Sequence, residues 1–135
     1  MRETHELEEA LHHHFKNPAL LVTALTHTSY ANEAKHGVRH NERLEFLGDS
    51  ILGMVVADHL YRNHPDLPEG ELTRTRAALV CEHTLSVLAR QLKLGDYLYM
   101  GNGEDALKQR ADLVAPSNEL GGVADMLELV LQGGV

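Results

Sequence analysis

Apolar residues recur at steps of three and four along most of this chain, and no alternating pattern long enough for a strand interrupts them. Leu7, Leu11 and His14 open a helix that stops near Asn17-Pro18. Pro18, whose fixed φ suits a first helical position, starts a second short helix carrying Leu20, Leu21, Ala24 and Leu25. Residues 31–40 are polar, include Gly37, and read as a loop. From Glu42 to about Asn63, Leu44, Leu47, Ile51, Leu52, Val55, Val56 and Leu60 make the longest periodic run, which His64-Pro65-Asp66-Leu67-Pro68 breaks. Glu69 to Arg90 is helical again, through Leu72, Ala77, Leu79, Val80, Leu85 and Leu88, and Leu94-Gly95-Asp96 ends it. A polar stretch over 101–118 precedes Gly121-Gly122 and a last apolar segment, Val123 to Leu131. The pattern predicts an all-α fold of six or seven helices. It shows no internal repeat and no domain boundary, so a single domain over 1–135 is expected.

Composition narrows this picture. A chain of 135 residues can bury roughly 65–70% of its unfolded surface, enough for a core without staples. Aromatic residues are 4% of the chain and Trp is absent, so the core should be built from Leu, Val, Ala and Met. Cys81 is the only cysteine. It excludes an intrachain disulfide, favours a reducing compartment, and by periodicity sits on an apolar helical face as a core residue. Residues 1–15 are rich in charge and histidine and do not look like a secretory leader. No run approaches the roughly 20 apolar residues of a membrane span. A cytoplasmic protein with no membrane partner is the expectation.

The net charge of −8 weighs against nucleic-acid binding, unless some carboxylates are neutralised by a cation. Candidates exist. Helical spacing of about 100° per residue puts Glu42, Glu45 and Asp49 within about 60° of arc, with Glu45 and Asp49 one turn apart. Glu42 lies roughly 10 Å along the axis from Asp49, too far to share one small ion easily. Leu44, Leu47, Ile51 and Leu52 occupy the other side and are expected to face the core. Like charges one turn apart repel, and a bound cation reverses that sign. Carboxylate oxygens suit Mg²⁺ or Mn²⁺ rather than zinc. Asp125 and Glu128 form a second pair three residues apart on the last apolar segment. The competing reading is a solvated acidic face paired with Arg43 or Arg39. His12-His13-His14 point around a helix and read as surface histidines. His27 and His40 read as structural hydrogen-bonding groups.

The run His40-Asn41-Glu42-Arg43-Leu44-Glu45-Phe46-Leu47-Gly48-Asp49-Ser50 resembles the signature of the ribonuclease III family at essentially every position. Leu25-Thr26-His27-Thr28-Ser29-Tyr30, Pro68 to Ala77, and Leu94-Gly95-Asp96-Tyr97-Leu98 are similar to other segments of that family, so the likeness runs from about residue 5 to residue 128. The resemblance implies a helical endonuclease domain that forms a homodimer. It implies Mg²⁺-dependent hydrolysis of double-stranded RNA, with 5′-phosphate and 3′-hydroxyl ends. It places metal-binding carboxylates at Glu45, Asp49, Asp125 and Glu128, with Asp49 and Glu128 as the active-site pair. It associates Glu42 and Glu69 with an RNA-facing valley and dimer contacts, and Phe46 with packing across the dimer; its alternative is ordinary intrachain core. Arg74, with Arg76, Lys108 and Arg110 behind it, is the candidate for phosphate contact; a solvated surface role is the alternative.

Two departures from the family pattern matter. The family usually places an Asp four residues after a Ser, whereas Ser117-Asn118 are here followed by Glu119-Leu120-Gly121-Gly122 before Val123-Ala124-Asp125. A gapped match assigns Asp125 and Glu128; an ungapped match puts Gly121 and Ala124 there and cripples the site. The gapped match keeps the local spacing and is preferred. A double-stranded-RNA-binding domain, common after this domain in the family, is expected to be absent from this chain. A non-catalytic relative that binds structured RNA as a dimer is the alternative function.

Overall fold

The computed structural model describes residues 3–103. Within them the chain is helical: α1 (Thr4–Leu11), α2 (Pro18–Ala24), α3 (Thr28–Glu33), α4 (Glu42–Asn63), α5 (Glu69–Leu79) and α6 (Glu82–Gln91), then one 3₁₀ turn at Leu94–Asp96. The all-α expectation holds. The last apolar segment, Val123 to Leu131, lies outside the described residues, as do Lys108, Arg110 and 117–125.

Local chemistry explains most boundaries. Asn17 caps α2 by accepting the Ala19 N–H at 3.1 Å, and Pro18 takes the first helical position. α1 ends earlier than its periodicity predicts. His12 turns into the left-handed region at φ 51°, and its N–H reaches back to Glu8 and Glu9 carbonyls. Glu8 then accepts the Phe15 N–H at 2.8 Å, holding the following loop. The polar stretch predicted as a loop overlaps α3, which periodicity misses because the helix buries no residue. Its start is capped by the His27 side chain, which accepts the Ser29 N–H at 3.2 Å. The helical run predicted over 69–90 is two helices, broken at Val80-Cys81 without Gly or Pro. There the Thr84 hydroxyl donates to the Ala78 carbonyl at 2.8 Å and satisfies the end of α5.

The described residues fall into two compact units. One contains residues 3–46 and 89–103. Its core is Leu7, Leu21, Leu25 and Tyr97, with Phe15, Leu94, Leu98 and Tyr99 packed against it. Aromatic residues thus carry more of this core than composition predicts. The other unit contains Leu47–Leu88, and its buried apolar side chains are Leu60, Leu79 and Val87. Met54, by contrast, is exposed, and no alanine among the described residues is fully buried.

Cys81 is exposed, not a core residue. The break between α5 and α6 ends the helical register on which its burial was predicted. Two of the four apolar residues expected to face the core from α4 do not. Leu47 is 55% and Ile51 47% exposed, while Leu44 and Leu52 are half-buried. The helix is apolar on two sides, so its periodicity alone could not say which side is covered.

Candidate active site

The first turn of α4 is anchored before it begins. Asn41 donates its backbone N–H to the Thr26 carbonyl at 2.9 Å and its side-chain amide to the Ala24 carbonyl at 3.0 Å. Its own carbonyl accepts the Glu45 N–H at 2.8 Å, the first bond of the helical ladder. Thr26 is itself fixed. It forms a parallel bridge with Tyr99, flanked by His27 N–H to Tyr99 and Tyr99 N–H to Leu25, both at 2.9 Å. Ser29 links this layer to the next loop. Its hydroxyl lies 2.7 Å from His27 Nδ1 and accepts the Gly101 N–H at 2.9 Å. The Glu33 carboxylate accepts the Asn102 N–H with both oxygens, at 2.9 and 3.1 Å. His27 is therefore a structural hydrogen-bonding group, as its sequence context predicts.

Glu42, Glu45 and Asp49 are all exposed on α4. Among the described residues neither Glu45 nor Asp49 forms an ion pair or side-chain hydrogen bond, so neither Arg43 nor Arg39 neutralises them. Glu42 has one basic neighbour, His40, whose Nδ1 is 3.9 Å from Glu42 Oε2. That distance is too long for a hydrogen bond, and the buried His40 Nδ1 has no hydrogen-bond partner among the described residues. Two unpaired carboxylates one helical turn apart are hard oxygen donors with mutual repulsion to relieve, a chemistry that suits a divalent cation. No three His, Cys, Asp or Glu residues come together to hold a metal among the described residues. Asp125 and Glu128, the other expected ligands, lie outside them.

The remaining candidates are also placed. Phe46, between the two acidic positions, is 81% exposed, which excludes the intrachain-core alternative. Glu69 lies in the first turn of α5 and accepts the Thr73 hydroxyl at 2.9 Å. Arg74 pairs with Glu71, three residues before it on the same exposed helix. A phosphate would have to compete with that carboxylate for the guanidinium. His12, His13 and His14 are exposed, in keeping with surface histidines. No described helix is long and apolar enough to cross a membrane.

Asn41 and the Ser29–Glu33–Gly101 contacts were not picked out by sequence reasoning. An Asn immediately before a periodic run is a helix-start signal that could have identified Asn41 as a cap. Its reach to Ala24, 17 residues back, has no local signature, and neither does Ser29 with Gly101, 72 residues apart.

A family model described as Ribonuclease-III-like matches residues 17–120. Ribonuclease 3 of Symbiobacterium thermophilum is 59% identical over 96 residues, covering 71% of this chain and 40% of that protein. Ribonuclease 3 of Caldanaerobacter subterraneus subsp. tengcongensis is 43% identical over 131 residues, covering 96% of this chain and 56% of that protein. The chain thus spans about half the length of the curated relatives it matches. A crystal structure of the nuclease domain of ribonuclease III from Campylobacter jejuni is similar at TM-score 0.70 and 34% identity, over 98% of this chain and 82% of that one. A second structure of that nuclease domain, described for structural flexibility in the region involved in dimer formation, is similar at TM-score 0.72 and 28% identity, over 98% of both chains. With its fold, its signature helix and these likenesses in agreement, the chain belongs to the ribonuclease III family.

Proposed function

We propose that residues 1–135 form a single endonuclease domain that hydrolyses double-stranded RNA in the presence of Mg²⁺, leaving 5′-phosphate and 3′-hydroxyl ends. The observation that carries this reading is the Glu45–Asp49 pair: exposed, unpaired and one turn apart within the family's signature. Glu45 and Asp49, with Asp125 and Glu128, hold the cation, and Mn²⁺ substitutes for Mg²⁺. When bound, the ion supplies Lewis-acid stabilisation of charge on the phosphate oxygens and lowers the pKa of water. Asp49 and Glu128 are the catalytic pair. Glu42, Glu69 and Arg74 line the RNA-facing surface.

The working unit is a symmetric homodimer. Phe46, Leu47, Ile51, Met54 and Val55 lie within about 180° of arc on α4, and all are exposed. A symmetric partner covers such a face with the same face of its own. The natural setting is RNA processing, including ribosomal RNA, in the cytoplasm. High identity to proteins named Ribonuclease 3 favours an enzyme over a non-catalytic relative.

The test is cleavage of a long RNA duplex at low ionic strength, with Mg²⁺, with Mn²⁺ and with chelator, and with analysis of the product ends. Cutting of duplex but not single-stranded RNA, dependent on the ion, is expected. Absence of cleavage with either ion would leave the non-catalytic reading standing.

A further inference from the structure

Asn41 makes two hydrogen bonds to the end of α2 and the residues just after it. We propose that Asn41 is a positioning residue for the cation site: it fixes the first turn of α4, and with it Glu45, against the end of α2. This rests on the reading above that Glu45 is a metal ligand.

A cap residue ordinarily serves its own helix. An Asn at this position commonly turns its side-chain oxygen back onto the N–H groups of its own helix. Asn41 instead donates its amide away from α4, to the Ala24 carbonyl at the last residue of α2. That carbonyl belongs to the set a helix end leaves without an intrahelical partner. The backbone N–H of the same residue reaches Thr26, two residues further on. One residue therefore grips the exit of α2 at two points, and two contacts constrain rotation about the helix axis as well as translation.

Thr26 is a stiff anchor. It is 2% exposed, its hydroxyl donates to the Val22 carbonyl at 2.6 Å, and the bridge to Tyr99 holds its backbone. The link to the carboxylate is direct, because the Asn41 carbonyl accepts the Glu45 N–H. Glu45 itself has no side-chain partner among the described residues. Before an ion arrives, its position is thus set by the backbone alone. Groups that orient a ligand matter to metal affinity even when they never touch the ion.

The test uses Asn41→Ser, with Asn41→Ala as a second variant. Serine remains a favoured cap residue, so α4 should still form, but its hydroxyl is too short to reach Ala24. The readout is Mn²⁺ affinity of the whole chain without RNA, from the loss of the free-ion electron paramagnetic resonance signal. Asn41→Ser is expected to weaken Mn²⁺ binding by roughly tenfold, the low end of what outer-shell changes cost. Asn17→Ala removes a cap of similar kind from the start of α2 and serves as the control. It should lower the melting temperature and leave Mn²⁺ affinity unchanged.

If Asn41→Ser and Asn41→Ala bind Mn²⁺ as the parent does while Glu45→Gln binds it weakly, the positioning role is overturned and the metal reading survives. An Asn17→Ala loss as large as that of Asn41→Ser would make the effect one of general stability and overturn the proposal too. If Glu45→Gln also binds like the parent, the metal assignment itself fails and takes the positioning role with it.

Discussion

The cluster around Leu7, Leu21, Leu25 and Tyr97 and the helix α4 use the same kind of residue to opposite ends. In the cluster, four side chains are at most 5% exposed and four more pack against them. On α4, of 22 residues, only Leu60 is buried, while Phe46 is 81% and Met54 64% exposed. A protein does not gain from holding a contiguous apolar face in water, and such a face marks an interaction surface. Acidic side chains share the same helix. The cluster is the core of its unit, whereas α4 leaves both its acidic and its apolar side chains exposed.

The largest effect should come from the acidic face. Asp49→Asn and Glu45→Gln, with Glu128→Gln as the most severe, remove charge while nearly preserving shape. Mg²⁺-dependent cleavage is expected to fall by roughly 10²–10³ or more, on the scale of losing a principal charge-stabilising group. Without metal, Asp49→Asn should melt no lower than the parent, since one repulsive pair worth about 0.5 kcal/mol is relieved; Glu45→Gln relieves the same pair but also gives up a favourable first-turn charge, so the two effects offset. Cleavage at the parent rate by Glu128→Gln and Asp125→Asn would refute the gapped match of segment 117–125.

The apolar face predicts the next effect. Sedimentation should give about twice the 15.0 kDa of the chain. Phe46→Asp should shift the population to monomer. Burial of one Phe contributes ~1.5–3 kcal/mol, and a symmetric interface counts it twice. A parent that sediments as a clean monomer at micromolar concentration would mean that α4 does not meet a second copy.

How much of this was legible before the structure depends on how local the cause is. The bounds of α4 follow from its period and the two prolines after it, and both signals lie within a few residues. The start of α2 follows from Asn17-Pro18 in the same way. α3 was missed because His27, Ser29 and Glu33 stabilise it through a cap and through contacts with residues 101–102, distant in sequence. The break at Val80-Cys81 has no Gly or Pro to announce it. Which face of α4 is covered was illegible for a different reason: a helix apolar on two sides gives periodicity nothing to choose between. For the site, the spacing of Glu45 and Asp49 was readable, and Asn41's reach to Ala24 was not.

On the core side of the comparison, Gly101 should prove intolerant. A Cβ there would lie 2.8 Å from the Ser29 carbonyl oxygen and 2.8 Å from Glu33 Cδ. The first is backbone, and the second belongs to a carboxylate held by Asn102. Gly101→Ala should destabilise by ~1–3 kcal/mol, the usual range for overpacking. Gly37→Ala, with open space around its Cβ position, should change stability little. Equal melting of the two variants would show that the α3 contacts to this loop are looser than their distances imply.

The smallest effect concerns Cys81 and tests the break between α5 and α6. The Thr84 hydroxyl, 3.3 Å from the sulfur, and the Thr84 backbone N–H favour the thiolate and hold the thiol below its ordinary pKa; the hydroxyl proton, given to the Ala78 carbonyl while the thiol is protonated, can turn to the sulfur once it ionises. Only the thiolate is a good nucleophile. A lowered pKa therefore moves the onset of alkylation to lower pH, and exposure lets the reagent in. Iodoacetamide should label the native chain at a measurable rate, with a pH midpoint below that of a free cysteine, about 8.5. Thr84→Val removes the hydroxyl beside the sulfur and should raise the midpoint while leaving the thiol exposed. It also removes the hydroxyl that satisfies the Ala78 carbonyl, so melting should be followed alongside, with a loss of ~1 kcal/mol expected for one such bond. If labelling instead needs denaturant, Cys81 is buried after all and the helical register runs through Val80 unbroken. If labelling is fast in both proteins with the same midpoint, Thr84 caps α5 but does not tune the thiol.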